Sequence, residues 1–261
     1  MDFLDDLPVY EKPPPHSPDG EWSDDDAASI SLSGCIAVIV LSFAWIVVYI
    51  SRNSDLLFED FTTGEAEQSG WLLVGLMIAS TISFLGSVYY FGIRQNPKRW
   101  QAVGLTPTTP SWVLGGLFLG VAYLPVNIAI ISFVQSLLGQ DTLNLSAENA
   151  RAPVPIVEFL AVFVMASLVV PFAEEIFFRG VIYRWLRQRA GLWIGLGISS
   201  LAFGTLHIAI PSIASISILG AVAAILYERS GSLWPAVFVH AGNNAAAILL
   251  SYLVLSSQVP V

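Results

Sequence analysis

The chain has 261 residues, of which 55% are hydrophobic and only 12% are charged; this excludes an ordinary soluble domain and predicts an integral membrane protein. Its net charge of −9 is uneven, because nine of the 20 acidic residues lie in residues 1–28 and the remainder holds 11 acidic against 10 basic residues. An acidic tail on a nearly neutral body argues against nucleic acid as a partner.

Residues 1–28 combine these carboxylates with five prolines and few apolar side chains. Such a composition cannot bury enough apolar surface to offset the entropy of ordering, so we predict a disordered acidic tail. A solvated tail is the favoured interpretation. The alternative is a soluble partner that binds the proline run.

Seven apolar runs follow the tail, and each approaches the roughly 20 residues that a spanning helix needs. They predict an all-α, polytopic transmembrane bundle of about seven spans, with six or eight as alternatives. Residues 29–99 form two N-terminal transmembrane helices, and residues 100–256 form a core region. The runs lie at 30–50, 70–93, 112–138, 155–186, 192–210, 213–228 and 234–256.

The basic residues predict the orientation, because lysine and arginine near helix ends resist translocation. The loops at 51–69 and 139–154 hold one basic residue each and are expected outside. The N-terminus is therefore expected in the cytoplasm. The basic residues expected inside are Arg94, Lys98, Arg99, Arg184, Arg187, Arg189 and Arg229.

Few ionisable side chains lie inside the apolar runs, away from their ends. A charge near the bilayer centre costs about 2.5 to 3.5 kcal/mol on insertion scales, so such groups are paired or face water and mark functional sites. They are Glu174, Glu175 and Arg179 in the fourth run, His207 in the fifth and His240 in the seventh.

The two glutamates of the fourth run have different predicted roles. Glu175 and Arg179 are four residues apart and share a helix face, so they are expected to form an ion pair. Glu174 points about 100° away and stays free, which suits a general acid or base. The alternative is a buried salt-bridge network that only holds helices together.

The two histidines outside the tail belong to short motifs. Phe203 precedes His207 by one helical turn, and His240 and Asn244 share a helix face. An imidazole beside a carboxamide can donate two hydrogen bonds to a developing oxyanion. For each histidine alone, a polar contact across the bundle remains an equal alternative.

Other intramembrane protease chemistries fit poorly. The sequence has no His-Glu-x-x-His pair, no Gly-x-Ser-Gly turn and no aspartate within a predicted span. Carboxylate and imidazole activating a water molecule is the chemistry that remains.

At these residues the chain resembles the CPBP family of intramembrane proteases (CAAX protease and bacteriocin-processing), which includes the type II CAAX prenyl endopeptidases. Three motifs occur in family order over roughly residues 100–255: Glu-Glu-x-x-x-Arg at Glu174, Phe-x-x-x-His at Phe203 and His-x-x-x-Asn at His240. The tail and the first two helices lie outside the resemblance.

The resemblance implies a role for each motif residue. Glu174 and His207 activate the attacking water, His240 and Asn244 hold the oxyanion, and Glu175, Arg179 and Phe203 support the site. No cofactor is the favoured interpretation. The alternative is a zinc ion held by Glu174, His207 and His240, with one position left for water.

We therefore expect an endopeptidase of the bilayer that acts on a hydrophobic or lipidated peptide or protein. The alternatives are a proton-coupled transporter that uses the same buried cluster and an inactive scaffold whose tail recruits a soluble partner. One expectation conflicts with a shared site: the predicted boundaries place His240 about 10 Å from the cytoplasmic surface, but Glu174 and His207 about 20 Å from it.

Overall fold

The computed structural model describes residues 22–52, 70–94, 99–139, 155–207 and 209–257, and every regular element in those ranges is helical. The predicted all-α class is confirmed. Most of the predicted tail and of the two outer loops lies outside the described residues. The α-helices are α1 (Asp24–Arg52), α2 (Gly70–Ser87), α3 (Arg99–Ala102), α4 (Pro110–Leu137), α5 (Ile156–Val164), α6 (Val170–Phe177), α7 (Arg184–Thr205), α8 (Ile210–Ser230) and α9 (Trp234–Ser257).

Six helices in the described part of the chain are long and apolar enough to cross a bilayer, which lies within the predicted range of six to eight. The fourth and fifth predicted spans belong to one continuous helical segment of 50 residues, Ile156–Thr205. A straight helix of that length would extend about 75 Å, more than twice the hydrocarbon thickness. The segment is instead bent at Gly191.

Gly191 adopts φ 84° and ψ 178°, a conformation that is essentially restricted to glycine. Beyond Gly191 the chain folds back on itself. The close approach of residues 195 and 187 shows this, since a Cβ on Gly195 would lie 2.9 Å from the backbone nitrogen of Arg187. The returning arm, residues 192–205, is about 21 Å long and too short to cross the bilayer alone. The predicted span over 192–210 is corrected accordingly.

The first helix begins earlier than predicted. Residues 24–28, assigned from sequence to the disordered tail, form the start of α1. Asp26 N donates to Ser23 Oγ at 3.0 Å, and Ser23 N donates to Asp26 Oδ2 at 3.3 Å. This reciprocal cap and the three aspartates of the first turn stabilise a helix N-terminus. The same acidic residues that predicted disorder therefore start the helix.

Helices α4 and α9 pack backbone to backbone. A Cβ on Gly116 would lie 2.5 Å from Pro235 O, and a Cβ on Gly242 would lie 2.6 Å from Leu117 O. Small residues permit this close approach between helices in lipid. The contact fixes α9, which carries His240 and Asn244.

This packing predicts different effects for two neighbouring glycines. Gly116→Ala places a methyl group against a backbone oxygen that has little freedom to move, and we expect it to destabilise the fold by about 1 to 3 kcal/mol. Gly115→Ala is the control, because a Cβ there meets nothing within 4 Å. Thermal unfolding in detergent measures both, and equal midpoints would contradict the described contact.

Candidate active site

The segment that carries the paired glutamates is irregular on both sides. Helix α6 holds Glu174 and Glu175 and lies between the π-helical turns Met165–Val169 and Phe178–Tyr183. Such turns are rare and often mark functional sites. From residue 173 to residue 181, every residue except Glu174 is buried. One carboxylate is thus enclosed while its neighbour keeps some access.

The predicted ion pair of Glu175 with Arg179 is present. Arg179 Nη1 donates to Glu175 Oε1 at 2.8 Å, and the two side chains are only 1% and 0% exposed. Arg179 Nη2 donates to the backbone oxygen of Gly220 at 2.9 Å. The guanidinium carbon lies 4.3 Å from the centre of the Phe203 ring, a favourable cation–π distance. The arginine therefore joins the segment containing α6 to α7 and α8.

His240 lies between the two glutamates. Its Nδ1 is 3.0 Å from Glu175 Oε1, and its Nε2 is 3.8 Å from Glu174 Oε2. A carboxylate only accepts hydrogen bonds, so Nδ1 is the donor to Glu175 and Nε2 faces Glu174. Glu175 thus fixes the orientation of the imidazole.

Glu174 carries an uncommitted oxygen in this buried setting. Oε2 has no hydrogen-bond partner among the described residues, although the side chain is only 13% exposed. The separation of 3.8 Å from His240 Nε2 is too long for a direct hydrogen bond but short enough for one water molecule to bridge. The arrangement can polarise a small molecule held between a carboxylate and an imidazole.

Phe203 brings the motif histidines together without a direct contact between them. Its ring meets the ring of His207 at 5.1 Å and that of His240 at 5.4 Å between centroids, both edge-on. His207 Nδ1 lies 3.0 Å from Phe203 O. Within the described chain, no hydrogen bond or ion pair joins His207 to Glu174. The structure therefore brings His240, and not His207, against the glutamates.

Asn244 lies one turn beyond His240, as predicted, but its amide is partly engaged. Nδ2 donates to the backbone oxygen of Ala166 at 2.9 Å. Sequence reasoning missed the adjacent Asn243, whose Nδ2 is 3.4 Å from Asn244 Oδ1. Asn243 Oδ1 is buried, with no partner in the described part of the chain. The occurrence of two consecutive asparagines in an apolar run could have indicated Asn243 from the sequence.

The alternative zinc shell does not fit the residues as placed. No group of three histidine, cysteine or acidic side chains among the described residues lies close enough to hold a metal ion. Glu174 and His240 are neighbours, but the third proposed ligand, His207, does not complete a group of three with them.

The predicted difference in depth between His240 and Glu174 is wrong. The residue before α9, Leu233, donates its N–H to Gly104 O at 2.8 Å, and a Cβ on Gly180 would lie 3.0 Å from Val103 O. The start of α9 is therefore level with Gly180. His240 and Glu175 both lie about 8 to 10 Å from that level. The sequence prediction measured depth from the cytoplasmic end of each helix. The two ends are not level, because the helix that contains Gly180 extends beyond the level of the turn between α8 and α9.

The comparisons with known proteins support the resemblance seen in the motifs. The family model described as Type II CAAX prenyl endopeptidase Rce1-like matches residues 156–246, which contain all the motif residues from Glu174 to Asn244. YdiL of Bacillus subtilis (strain 168), a candidate membrane peptidase by its name, is 24% identical over 140 residues, which cover 53% of this chain and 55% of that protein. The chain thus spans about half the length of this curated relative. No solved structure matches.

Loss of the buried ion pair should be far more damaging than loss of a surface pair. Arg179→Gln leaves Glu175 charged and enclosed, which we expect to destabilise the fold by about 3 to 5 kcal/mol. Arg187→Gln is the matched control, since Arg187 pairs with Glu228 at 2.8 Å but is 40% exposed, and such pairs contribute about 0 to 1 kcal/mol. Thermal unfolding compares the two variants, and similar losses would contradict a special role of the buried pair.

Proposed function

We propose that this multi-pass membrane protein, whose residues 156–246 resemble the Rce1-like type II CAAX prenyl endopeptidases, is an endopeptidase that cleaves within the bilayer. The observation that carries the proposal is the facing pair of Glu174 Oε2 and His240 Nε2, 3.8 Å apart. The pair lies in a helical bundle where uncompensated polar groups are costly. A structural salt bridge does not require an uncommitted second carboxylate.

Glu174 acts as the general base. It accepts a proton from water while the water oxygen forms a bond to the carbonyl carbon of the scissile peptide. The same carboxyl group then gives the proton to the peptide nitrogen as the C–N bond breaks, which yields a carboxylic acid and an amine. The partial access of Glu174, compared with the enclosed Glu175, supports this assignment.

His240 and Asn244 stabilise the oxyanion that forms on the carbonyl oxygen of the scissile peptide. His240 Nδ1 is committed to Glu175, so Nε2 donates a hydrogen bond only when the ring is an imidazolium. Asn244 supplies the N–H that does not bond to Ala166. Preorganised donors of this kind commonly provide the largest part of catalysis.

His207 assists Glu174 once substrate is bound. His207 is exposed, and its Nδ1 lies 3.0 Å from Phe203 O, so its assigned role requires its side chain to turn toward the reacting groups when substrate binds. Catalytic hydrogen bonds are often absent before substrate binds. Glu175 and Arg179 orient His240 and take no part in proton transfer.

The substrate is a hydrophobic or lipidated peptide in the membrane, and the N-terminus of this chain faces the cytoplasm. The family resemblance supports a hydrophobic or lipidated substrate. The basic residues near the ends of the spans support the cytoplasmic N-terminus.

Glu174→Gln tests the proposal. Removal of the base should lower turnover of a farnesylated CAAX peptide about 100- to 10,000-fold in proteoliposomes. Glu158→Gln is the control, because it removes another carboxylate of the same helical segment while an amide oxygen still accepts from Trp71 N. Undiminished turnover by Glu174→Gln would refute the assignment, and proton-coupled flux without hydrolysis would favour the transporter alternative.

Chelation tests the zinc alternative on wild-type protein. Because the described residues do not form a three-ligand shell, we expect peptidase activity to stay within about twofold after treatment with a zinc chelator. Activity that is lost on chelation and restored by added zinc would assign Glu174, His207 and His240 to a metal site that forms in another conformation.

A further inference from the structure

Both π-helical turns that flank α6 accept a hydrogen bond from a side chain outside their own helical segment. Asn244 Nδ2 donates to Ala166 O at 2.9 Å, and Trp22 Nε1 donates to Gly180 O at 2.8 Å. A π turn interrupts the regular ladder of backbone hydrogen bonds, and lipid offers no donor to a carbonyl that loses its partner. The two side chains supply donors where the helix itself is irregular.

The position of the second π turn decides which way the glutamates face. Successive residues of an α-helix differ by about 100° around its axis. If the turn at Phe178–Tyr183 moved toward α6, the residues between would rotate, and Glu175 would leave Arg179 and His240. Gly180 directly follows Arg179, so a bond to Gly180 O holds the turn close to the ion pair.

Trp22 is itself held firmly at this point. Its side chain is buried, at 1% exposure, and fills a space beside Gly92, where a Cβ would lie 2.7 Å from the indole ring. Arg189 Nη2 donates to Trp22 O at 3.3 Å. Arg189 also forms an ion pair with Asp24, whose Oδ1 accepts from Trp185 Nε1 at 2.9 Å. Trp22 and the first residue of α1 are thus bound to residues 180–189.

We propose that Trp22 is a positioning residue of the active site, which acts through Gly180 O to keep Glu174 and Glu175 in the correct rotation about the helix axis. This places a residue of the N-terminal segment, outside the range that matches the family model, in the machinery of the enzyme. The inference rests on the proposed peptidase function. It also predicts that turnover of substrate depends on Trp22, a residue that precedes the first spanning helix.

A second tryptophan provides a matched comparison. Trp45 Nε1 donates to Leu72 O at 3.1 Å, a bond of the same type that joins α1 to α2. Leu72 lies in a regular part of α2 and has no π turn beside it. If the indole hydrogen bonds serve only helix packing, substitution of either tryptophan should have a similar effect on the enzyme. If the bond of Trp22 sets the rotation of α6 about its axis, only substitution of Trp22 should lower turnover.

Trp22→Phe and Trp45→Phe therefore distinguish positioning from packing. Both keep an aromatic ring and remove the indole donor. In full-length protein we expect Trp22→Phe to lower kcat for the farnesylated peptide about 10- to 100-fold with KM within about twofold, because binding is kept while the reacting groups are misplaced. Trp45→Phe should keep kcat within about twofold. Wild-type kcat in Trp22→Phe, equal losses in both variants, or a change confined to KM would overturn the inference.

Arg189→Gln is the second variant if Trp22→Phe does not fold. It removes the hold on the Trp22 backbone without changing the buried indole. A fall in kcat at unchanged KM supports the inference, and wild-type kinetics overturn it.

Backbone hydrogen exchange separates failure of this inference from failure of the proposed function. If wild-type protein cleaves no peptide, the proposed function fails, and exchange of the amides of residues 174–183 in detergent still decides the role of Trp22. Exchange that is accelerated about tenfold in Trp22→Phe but not in Trp45→Phe supports the positioning role of Trp22. Exchange that is equal in the two variants overturns it.

Discussion

The ion pair between Glu175 and Arg179 is the interaction on which the rest of the site depends. Two charges enclosed at 0% and 1% exposure are tolerated only when each is matched by geometry and by further hydrogen bonds. Arg179 meets this condition through Glu175, Gly220 O and the face of Phe203. Each partner lies on a different helical stretch, so satisfying one guanidinium fixes the relative positions of α6, α7 and α8.

His240 is oriented as a consequence of this pair. Glu175 Oε1 serves Arg179 and His240 together, so the imidazole cannot turn without loss of a buried hydrogen bond. Its other nitrogen is thereby directed at Glu174. The enclosed glutamate is held by Arg179 and His240, and its neighbour Glu174 is the carboxylate to which we assign the proposed reaction. The two glutamates differ in this way because successive residues of a helix point about 100° apart around its axis.

The backbone irregularities have the same physical origin. In lipid, every carbonyl released by a π turn needs a donor from elsewhere in the protein. Asn244 and Trp22 provide donors at the two turns that flank α6. Asn244 therefore links the proposed oxyanion site to the segment that carries the proposed base. Trp22, just before α1, gains a place in the core that the acidic composition around it does not indicate.

The sequence by itself determined what depends on local geometry: the membrane-spanning runs other than 192–210, the helical class, and the pairing of Glu175 with Arg179 at a spacing of four residues. It also placed Asn244 one turn beyond His240. The contact of His240 with both glutamates depends on the relative height of two helices, and that height is set by the turn at Gly231–Leu233, not by helix length. Only the tertiary structure decided this contact, the return of the chain at Gly191 and the burial of Trp22, because each depends on partners distant in sequence.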